Sequence, residues 1–77
     1  MQKGGNVLSI VSINPVQIGE RLRLLRGAKT IEEVADNLKI SSSAIGMYER
    51  GCRVPRDDIK VQIAKYYGKS VQEIFFD

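Results

Sequence analysis

The stretch TIEEVADNLKISSSAIGMYERG, residues 30–51, decides how this chain folds. Thr30 and Glu33 have the spacing of a capping box, in which each side chain pairs with the backbone at the start of a helix. Apolar residues then follow the i, i+3, i+4 and i+7 pattern, at Ile31, Val34, Ala35 and Leu38. That pattern places them on one helical face. The first half of the stretch therefore predicts a short amphipathic helix.

A second helix is predicted to begin at once, because Ser41 is a good N-cap residue. Ile40 and Ile45 stand on either side of it as the two members of a hydrophobic staple. Gly51 suits the position just past the last helical turn. Only the three residues LKI separate the two segments. Two short helices joined by so short a turn form a helix-turn-helix motif.

The rest of the chain predicts three more short helices around this pair. One runs from Pro15 to about Gly27, and DDIKVQIAKYY makes the fourth helix with two acids at its start. Ser70 and Glu73 have the spacing of another capping box, which opens a short last helix. The predicted fold is all-α, a compact five-helix bundle formed by residues 16–77 as one domain.

Residues 1–15 differ in composition and are predicted to form an N-terminal arm that is flexible or strand-like. MQKGG is polar, whereas NVLSIVSI is β-branched and roughly alternating, as in a short β arm that needs a partner strand. Lys-Gly-Gly can also be encoded by a purine-rich sequence that resembles a ribosome-binding site. Val7 or Leu8 is therefore an alternative start, which an intact Met1–Gln2 terminus in the native protein would refute.

The composition excludes several classes of function. The 77 residues contain no histidine, no tryptophan and one cysteine. Ser-His-Asp and Cys-His catalysis need an imidazole, and a disulfide within the chain needs a second cysteine. No apolar run approaches the roughly 20 residues that span a bilayer. We expect a cytoplasmic, non-enzymatic binding domain with no metal, no cofactor and no membrane partner.

Charge is distributed unevenly along the chain, whose net charge is +3. Residues 16–29 carry four cations and one acid, residues 30–40 carry a net charge of −2, and residues 41–56 carry three cations and one acid. Basic charge therefore flanks SSSAIGMYERG, as an anionic partner would require. Ordinary solvated surface charge is the alternative interpretation.

The composition of the second helix of the motif is unusual, because its outward face is predicted to be small and bare. Helical periodicity turns Ala44, Ile45 and Tyr48 inward. The residues that share the outward face are Ser42, Ser43, Gly46, Met47 and Arg50. Such a slim strip fits the DNA major groove, about 12 Å wide, where hydroxyls can meet donors or acceptors and a thioether can contact thymine methyls.

Three segments within Ile18–Phe76 resemble the phage-repressor-like (Cro/XRE-type) helix-turn-helix proteins. They are EEVADNLKIS leading into SAI, YERG followed by the R-x-P pattern, and IAKYYGKSVQEIF. The short LRGAKT junction resembles that of small regulators of Gram-positive bacteria and their mobile elements. The resemblance implies a lambda-repressor-like DNA-binding domain whose third helix enters the major groove.

The resemblance also implies roles for individual residues. Base-reading positions match Ser42, Ser43 and Met47, with Gly46 between them. The cap positions that face phosphates match Thr30 and Ser41. The loop that follows the DNA backbone matches Arg50, Arg53 and Arg56, of which Arg56 would approach the minor groove. An internal ion pair between the first helix and the end of the third matches Arg26 and Glu49.

Three positions depart from the pattern of this family. Ile31 stands where a glutamine usually helps to grip phosphate, which removes a direct contact. Lys39 replaces the glycine of the turn, so it is predicted to adopt a left-handed backbone at a cost of about 1 kcal/mol. Cys52 stands where a basic residue or asparagine is commoner, either as a redox-sensitive thiol beside the DNA or as a plain loop residue.

These observations predict a sequence-specific double-stranded DNA-binding transcriptional regulator, a homodimeric repressor of a near-palindromic operator. The half-sites of such an operator lie about 34–36 Å apart. The aromatic residues Phe75 and Phe76 are predicted to belong to the core. If the apolar end Ile74 to Phe76 is instead partly exposed, a dimer interface is its natural use. Two alternatives remain. One is an antitoxin that binds a toxin through its arm or last helix, and the other is a protein-binding adaptor without DNA affinity.

Overall fold

The computed structural model describes residues 13–77 of the chain. In this part, the chain forms five α-helices in the order α1 (Pro15–Arg26), α2 (Ile31–Leu38), α3 (Ser42–Glu49), α4 (Asp57–Tyr67) and α5 (Val71–Phe75). The predicted all-α fold is confirmed. The predicted arm, with its possible β-strand and its alternative start residues, lies almost wholly outside the described residues. Its boundary at residue 16 falls inside the first turn of α1.

Side-chain caps start the helices of the motif. The Ser41 hydroxyl accepts a hydrogen bond from the backbone N–H of Ala44 at 3.1 Å, which confirms the predicted start of α3. Thr30 likewise accepts from the N–H of Glu33 at 3.0 Å. The predicted capping box at α2 is only half formed, however, because in the described chain Glu33 returns no hydrogen bond to the Thr30 backbone. Asn14 forms a full capping box for α1 that the sequence interpretation did not include.

Three helices end in the same way, with one residue in the left-handed backbone conformation. Gly51 and Gly68 have φ of 76° and 69°, and Lys39 has φ of 60°. In each case the next residue donates its N–H to the carbonyl five residues earlier: Ile40 to Ala35 at 3.0 Å, Cys52 to Met47 at 2.9 Å, and Lys69 to Ala64 at 2.9 Å. This arrangement is the Schellman motif, which usually has glycine at the left-handed position. The predicted left-handed backbone of Lys39 is confirmed.

The core is assembled from all five helices. Its largest fully buried side chains are those of Ile18, Val34, Ile63, Ile74 and Phe75. Phe75 is 0% exposed, which confirms its prediction as a core residue. The alternative of a partly exposed end is wrong for Ile74, which is 1% exposed. Apolar side chains of an amphipathic helix pack into the core where they can reach it, because burial of each one stabilises the folded state by about 1.5–3 kcal/mol.

Arg21 of α1 closes the last helix onto the first. Its guanidinium donates hydrogen bonds to the carbonyl oxygens of Glu73 and Phe76, both at 3.0 Å. These carbonyls belong to the end of α5, where backbone acceptors lack partners within the helix. The other end of α5 has the predicted capping box of Ser70 and Glu73, which is confirmed.

Gly19 brings α1 and α3 into direct backbone contact. It is buried, and a Cβ placed on it would overlap the carbonyl oxygen of Glu49 and lie 2.8 Å from that of Tyr48. Only glycine permits this approach, because real Cβ atoms do not come that close to backbone. The contact fixes the position of α3, and the sequence interpretation did not identify it. The available signal was a glycine in the interior of a predicted helix, which often has a packing reason.

Candidate nucleic-acid interface

The outward face of α3 forms one continuous surface. An open recess of about 370 Å³ is bordered by all five residues predicted to share that face, Ser42, Ser43, Gly46, Met47 and Arg50. The first turn of α2 supplies Ile31 and Glu32 to the same recess. The helix-turn-helix therefore presents a concave, mostly small-residue surface with one cation at its C-terminal end.

The cap residues Thr30 and Ser41 lie exposed at the starts of the two helices that border this surface. Each hydroxyl already accepts a hydrogen bond from its own helix, as described above. A hydroxyl that accepts a bond keeps its own O–H as a donor. Both helix N-termini also carry backbone N–H groups without intrahelical partners, which favours anions there.

The side chains on the surface differ in how far they reach into solvent. Ser42, Ser43 and Arg50 are exposed, whereas Met47 is only partly exposed. Gly46 is buried, although the sequence placed it on the outward face. The reason is local, since the Arg50 guanidinium lies over it. A Cβ on Gly46 would stand 3.0 Å from Arg50 Nη1 and 3.8 Å from Cζ.

Two predicted backbone-contacting arginines border a second recess, on the flank of α3. Arg53 and Arg56 line this recess of about 420 Å³, together with Lys39 from the turn between α2 and α3. Arg56 Nε lies 3.7 Å from Asp58 Oδ1, and both side chains are largely exposed, so this ion pair contributes little. Lys39 was predicted for its backbone alone. The structure adds its cation to the same group.

Arg26 and Glu49 lie together on the opposite side of α3. The guanidinium grips the carboxylate with two hydrogen bonds, Nε to Oε2 at 2.7 Å and Nη2 to Oε1 at 3.0 Å. Arg26 Nη1 also donates to the Lys29 carbonyl at 2.7 Å. Glu49 is only 6% exposed, and its hydrogen bond raises the pKa of Arg26 above the ordinary value. The pair ties the end of α1 to the end of α3.

The basic residues of α1 contribute less to this surface than their charge suggested. Arg21, Arg23 and Arg26 each donate hydrogen bonds to protein groups, and both Arg23 and Arg26 donate to Glu49. The charge of residues 16–29 is thus largely engaged within the fold. The cations that border α3 come instead from the turn before it and the segment after it.

Two classes of feature are absent from residues 13–77. No group of three or more metal-ligating side chains comes together there. No helix in the same range has the length and apolar character needed to cross a membrane. Cys52 is an exposed free thiol in the loop after α3. Nothing around it distinguishes the two roles considered for it from the sequence.

Comparisons with known proteins agree with this geometry. A family model described as a helix-turn-helix domain matches residues 17–74. Among the curated proteins, none matches this chain significantly by sequence.

Solved structures of similar fold include those of three proteins. The restriction-modification controller protein C.AhdI from Aeromonas hydrophila is 32% identical, with a TM-score of 0.70 over 78% of this chain and 94% of that chain. The S. venezulae BldD DNA-binding domain is 28% identical, with a TM-score of 0.67 over 79% of this chain and 94% of that chain.

The third structure is the SOS-response transcriptional repressor LexA from Eubacterium rectale, with a TM-score of 0.77 over 83% of this chain and 70% of that chain. At 20% identity, its likeness is one of fold alone. The family match covers most of the chain, and it includes both helices of the motif and the recess in front of α3. The chain therefore belongs to the helix-turn-helix domain family, in its Cro/XRE-type class of DNA-binding regulators.

Proposed function

We propose that this chain is a sequence-specific double-stranded DNA-binding transcriptional regulator, acting as a homodimeric repressor with α3 in the major groove. The observation that carries the proposal is the continuous outward face of α3. It is small enough to enter a groove, it has exposed hydroxyls, and cations border it on two sides.

The dimensions support this orientation. An α-helix with its side chains is about 10–12 Å in diameter, so the small outward residues of α3 let it enter the major groove, which is about 12 Å wide. Ser42 and Ser43 meet base edges at the N-terminal end of the helix. The caps Thr30 and Ser41 meet phosphates on the groove wall through hydroxyls and free backbone amides.

The segment after α3 provides the electrostatic contribution. Arg53 and Arg56 lie exposed beside Lys39, so an adjacent DNA backbone meets three cations from one side of the helix. Such contacts position the protein without reading sequence. Two copies are needed to bind both halves of a near-palindromic operator, with the two α3 helices about 34–36 Å apart.

The test is a footprint on the DNA upstream of the gene, followed by a salt titration of binding to the protected site. If about four cations per chain lie against the phosphates, a dimer neutralises about eight. The logarithm of the affinity then falls with log[salt] at a slope near −7. Replacing both Arg53 and Arg56 by alanine should reduce the slope to about −4. A slope near zero for the unaltered protein would contradict the proposal.

A matched control is Lys65→Ala on α4, a cation that borders neither recess. It should leave the salt slope unchanged. If Lys65→Ala and the Arg53/Arg56 variant reduced the salt slope equally, the binding would be unspecific charge attraction. Mass measurement of the complex should give two chains per protected site, and one chain per site would exclude the dimeric operator.

A further inference from the structure

Arg50 differs from every other arginine around the motif in where its side chain lies. Its guanidinium folds back along α3 onto Gly46, four residues earlier, instead of extending from the loop. The side chain thereby joins the two serines and Met47 around the recess in front of the helix. Arg53 and Arg56 line the other recess, on the flank.

Gly46 is what makes this placement possible. Apart from the helix backbone and the adjacent residues, the atoms within 4 Å of a Cβ on Gly46 are Nη1 and Cζ of Arg50. A Cβ at this position would meet Arg50 Nη1 at 3.0 Å, so the guanidinium would have to shift away from the helix. Helical side chains lean towards the preceding turn, so the residue at i−4 is the one that Arg50 meets.

The guanidinium has no partner within the described chain. Among residues 13–77, no ion pair and no side-chain hydrogen bond involves Arg50, although the Glu32 carboxylate borders the same recess. Arg26, in contrast, donates three side-chain hydrogen bonds to protein groups. Arg50 therefore presents its planar set of donors, oriented but unsatisfied, on the outward face of α3.

The other side chains on this face lack such a set of donors. A serine hydroxyl donates one hydrogen bond, and a thioether makes apolar contacts. An arginine can donate two parallel hydrogen bonds to O6 and N7 of guanine in the major groove, the commonest specific contact in protein–DNA recognition. Among the outward residues of α3, Arg50 alone has this chemistry.

We propose that Arg50 reads a guanine in each half-site of the operator, and that Gly46 is the positioning residue that holds it in the groove. This inference rests on the proposed function and makes it more specific. It changes the expected role of Arg50 from a backbone contact of the loop to a base contact of the helix. Gly46 then serves to seat Arg50 rather than to give general clearance for the helix.

The experiment is selection of binding sites from a random DNA library, followed by affinity measurements on the selected operator and on a version with the guanine replaced in each half-site. The unaltered protein should select a guanine in each half-site and lose about tenfold or more in affinity on its replacement. Arg50→Ala should bind both DNAs equally. Arg50→Lys keeps the charge but lacks the two parallel donors of the guanidinium, so it should keep the salt slope and lose the preference for guanine.

The Gly46→Ala variant distinguishes a role of Gly46 in positioning Arg50 from an effect on folding. Alanine has the higher helix propensity, and its Cβ meets only the mobile end of a side chain, so the melting temperature should equal or exceed that of the unaltered protein. The preference for guanine should nevertheless fall as in Arg50→Ala. A Gly46→Ala protein that keeps the preference overturns the positioning role.

Two outcomes distinguish this inference from the function on which it rests. If the unaltered protein binds DNA with a steep salt slope but Arg50→Ala weakens all sequences to the same extent, Arg50 is a phosphate contact and the inference alone fails. If the unaltered protein shows no salt-dependent binding to any DNA, the proposed function and the inference fail together.

Discussion

The two faces of α3, taken together with its C-cap residue Arg50, are built in opposite ways. The inner face packs Ile45, Tyr48 and Glu49 against the rest of the fold, with the α1 backbone in contact at Gly19. Its carboxylate is held by a guanidinium at 2.7 Å. The outer face has exposed hydroxyls and a guanidinium that no group in residues 13–77 neutralises. Hydrogen-bonding capacity is satisfied on the inner face and left available on the outer one.

Each face of α3 depends on one glycine, Gly19 of α1 on the inner side and Gly46 on the outer side, and the two glycines act differently. Gly19 has no side chain so that two backbones can touch, whereas Gly46 has none so that an arginine can lie against the helix. Rigid backbone lies next to Gly19, whereas the movable end of the Arg50 side chain lies next to Gly46. The same substitution at the two positions therefore tests how firmly each face is fixed.

The largest expected effect is that of Gly19→Ala. The added methyl group would overlap the Glu49 carbonyl, and neither helix backbone can move without disturbing the core. Overpacking usually costs 1–3 kcal/mol, and because the clash is with backbone we expect about 3 kcal/mol or more. Urea unfolding measures the change. Gly46→Ala is the matched control and should not be destabilised; equal losses at the two sites would contradict the contrast between the faces.

The next largest effect is expected from Arg26→Met, which keeps most of the apolar stem and removes the charge. Glu49 would then be buried without its partner, which typically costs about 3–5 kcal/mol. The double variant Arg26→Met/Glu49→Met should recover much of this loss, because no unpaired charge remains. Chemical unfolding of the unaltered protein and the two variants measures both changes. A double variant less stable than Arg26→Met would show that the pair is not the cause.

The same variants sharpen the comparison between the faces. Since Arg26 lies on the inner side of α3, the folded Arg26→Met protein should keep the salt slope of DNA binding, unlike the Arg53/Arg56 variant.

The smallest effect concerns pH and Tyr67, which is half-buried behind α3. Burial, with a further contribution from the charge of Glu49, raises the pKa of Tyr67 to about 12. A tyrosine in the unfolded chain ionises near pH 10. Between pH 10 and pH 12 the unfolded state therefore loses the proton while the folded state keeps it, so stability falls as the pH rises. Below pH 10 Tyr67 keeps its proton in both states, so it does not change the stability with pH there.

Tyr67→Phe should remove that part of the decline. Melting temperatures of the two proteins, measured from pH 8 to pH 12, should decline less steeply for the variant above pH 10. If the two curves of melting temperature against pH were parallel, Tyr67 would have the same pKa in the folded and unfolded states.

The sequence was sufficient for elements whose causes are local. The start of α3 follows from Ser41, so it could be predicted from neighbouring residues. The left-handed backbone of Lys39 was predicted from family resemblance, because the family has glycine at that position of the turn. The pairing of Arg26 with Glu49 came from family resemblance, because 23 residues separate the two and no local pattern links them.

Other features could not be predicted, because they depend on contacts between distant elements or on one rotamer. Hydropathy marks Ile74 as apolar, but only the assembled core decides that it is buried. Helical periodicity places Gly46 on the outer face, but its burial depends on the side-chain conformation of Arg50. The contact at Gly19 joins helices that are about 30 residues apart along the chain.

The hydrogen bonds of Arg21 have a consequence for the order in which the protein can be assembled. They join residues 52 and 55 positions apart, so during synthesis the donor exists long before its acceptors. The contact of Gly19 with Glu49 joins residues about 30 positions apart, so α1 and α3 close a shorter loop than α1 and α5. Docking of α5 then completes the core by burying Phe75.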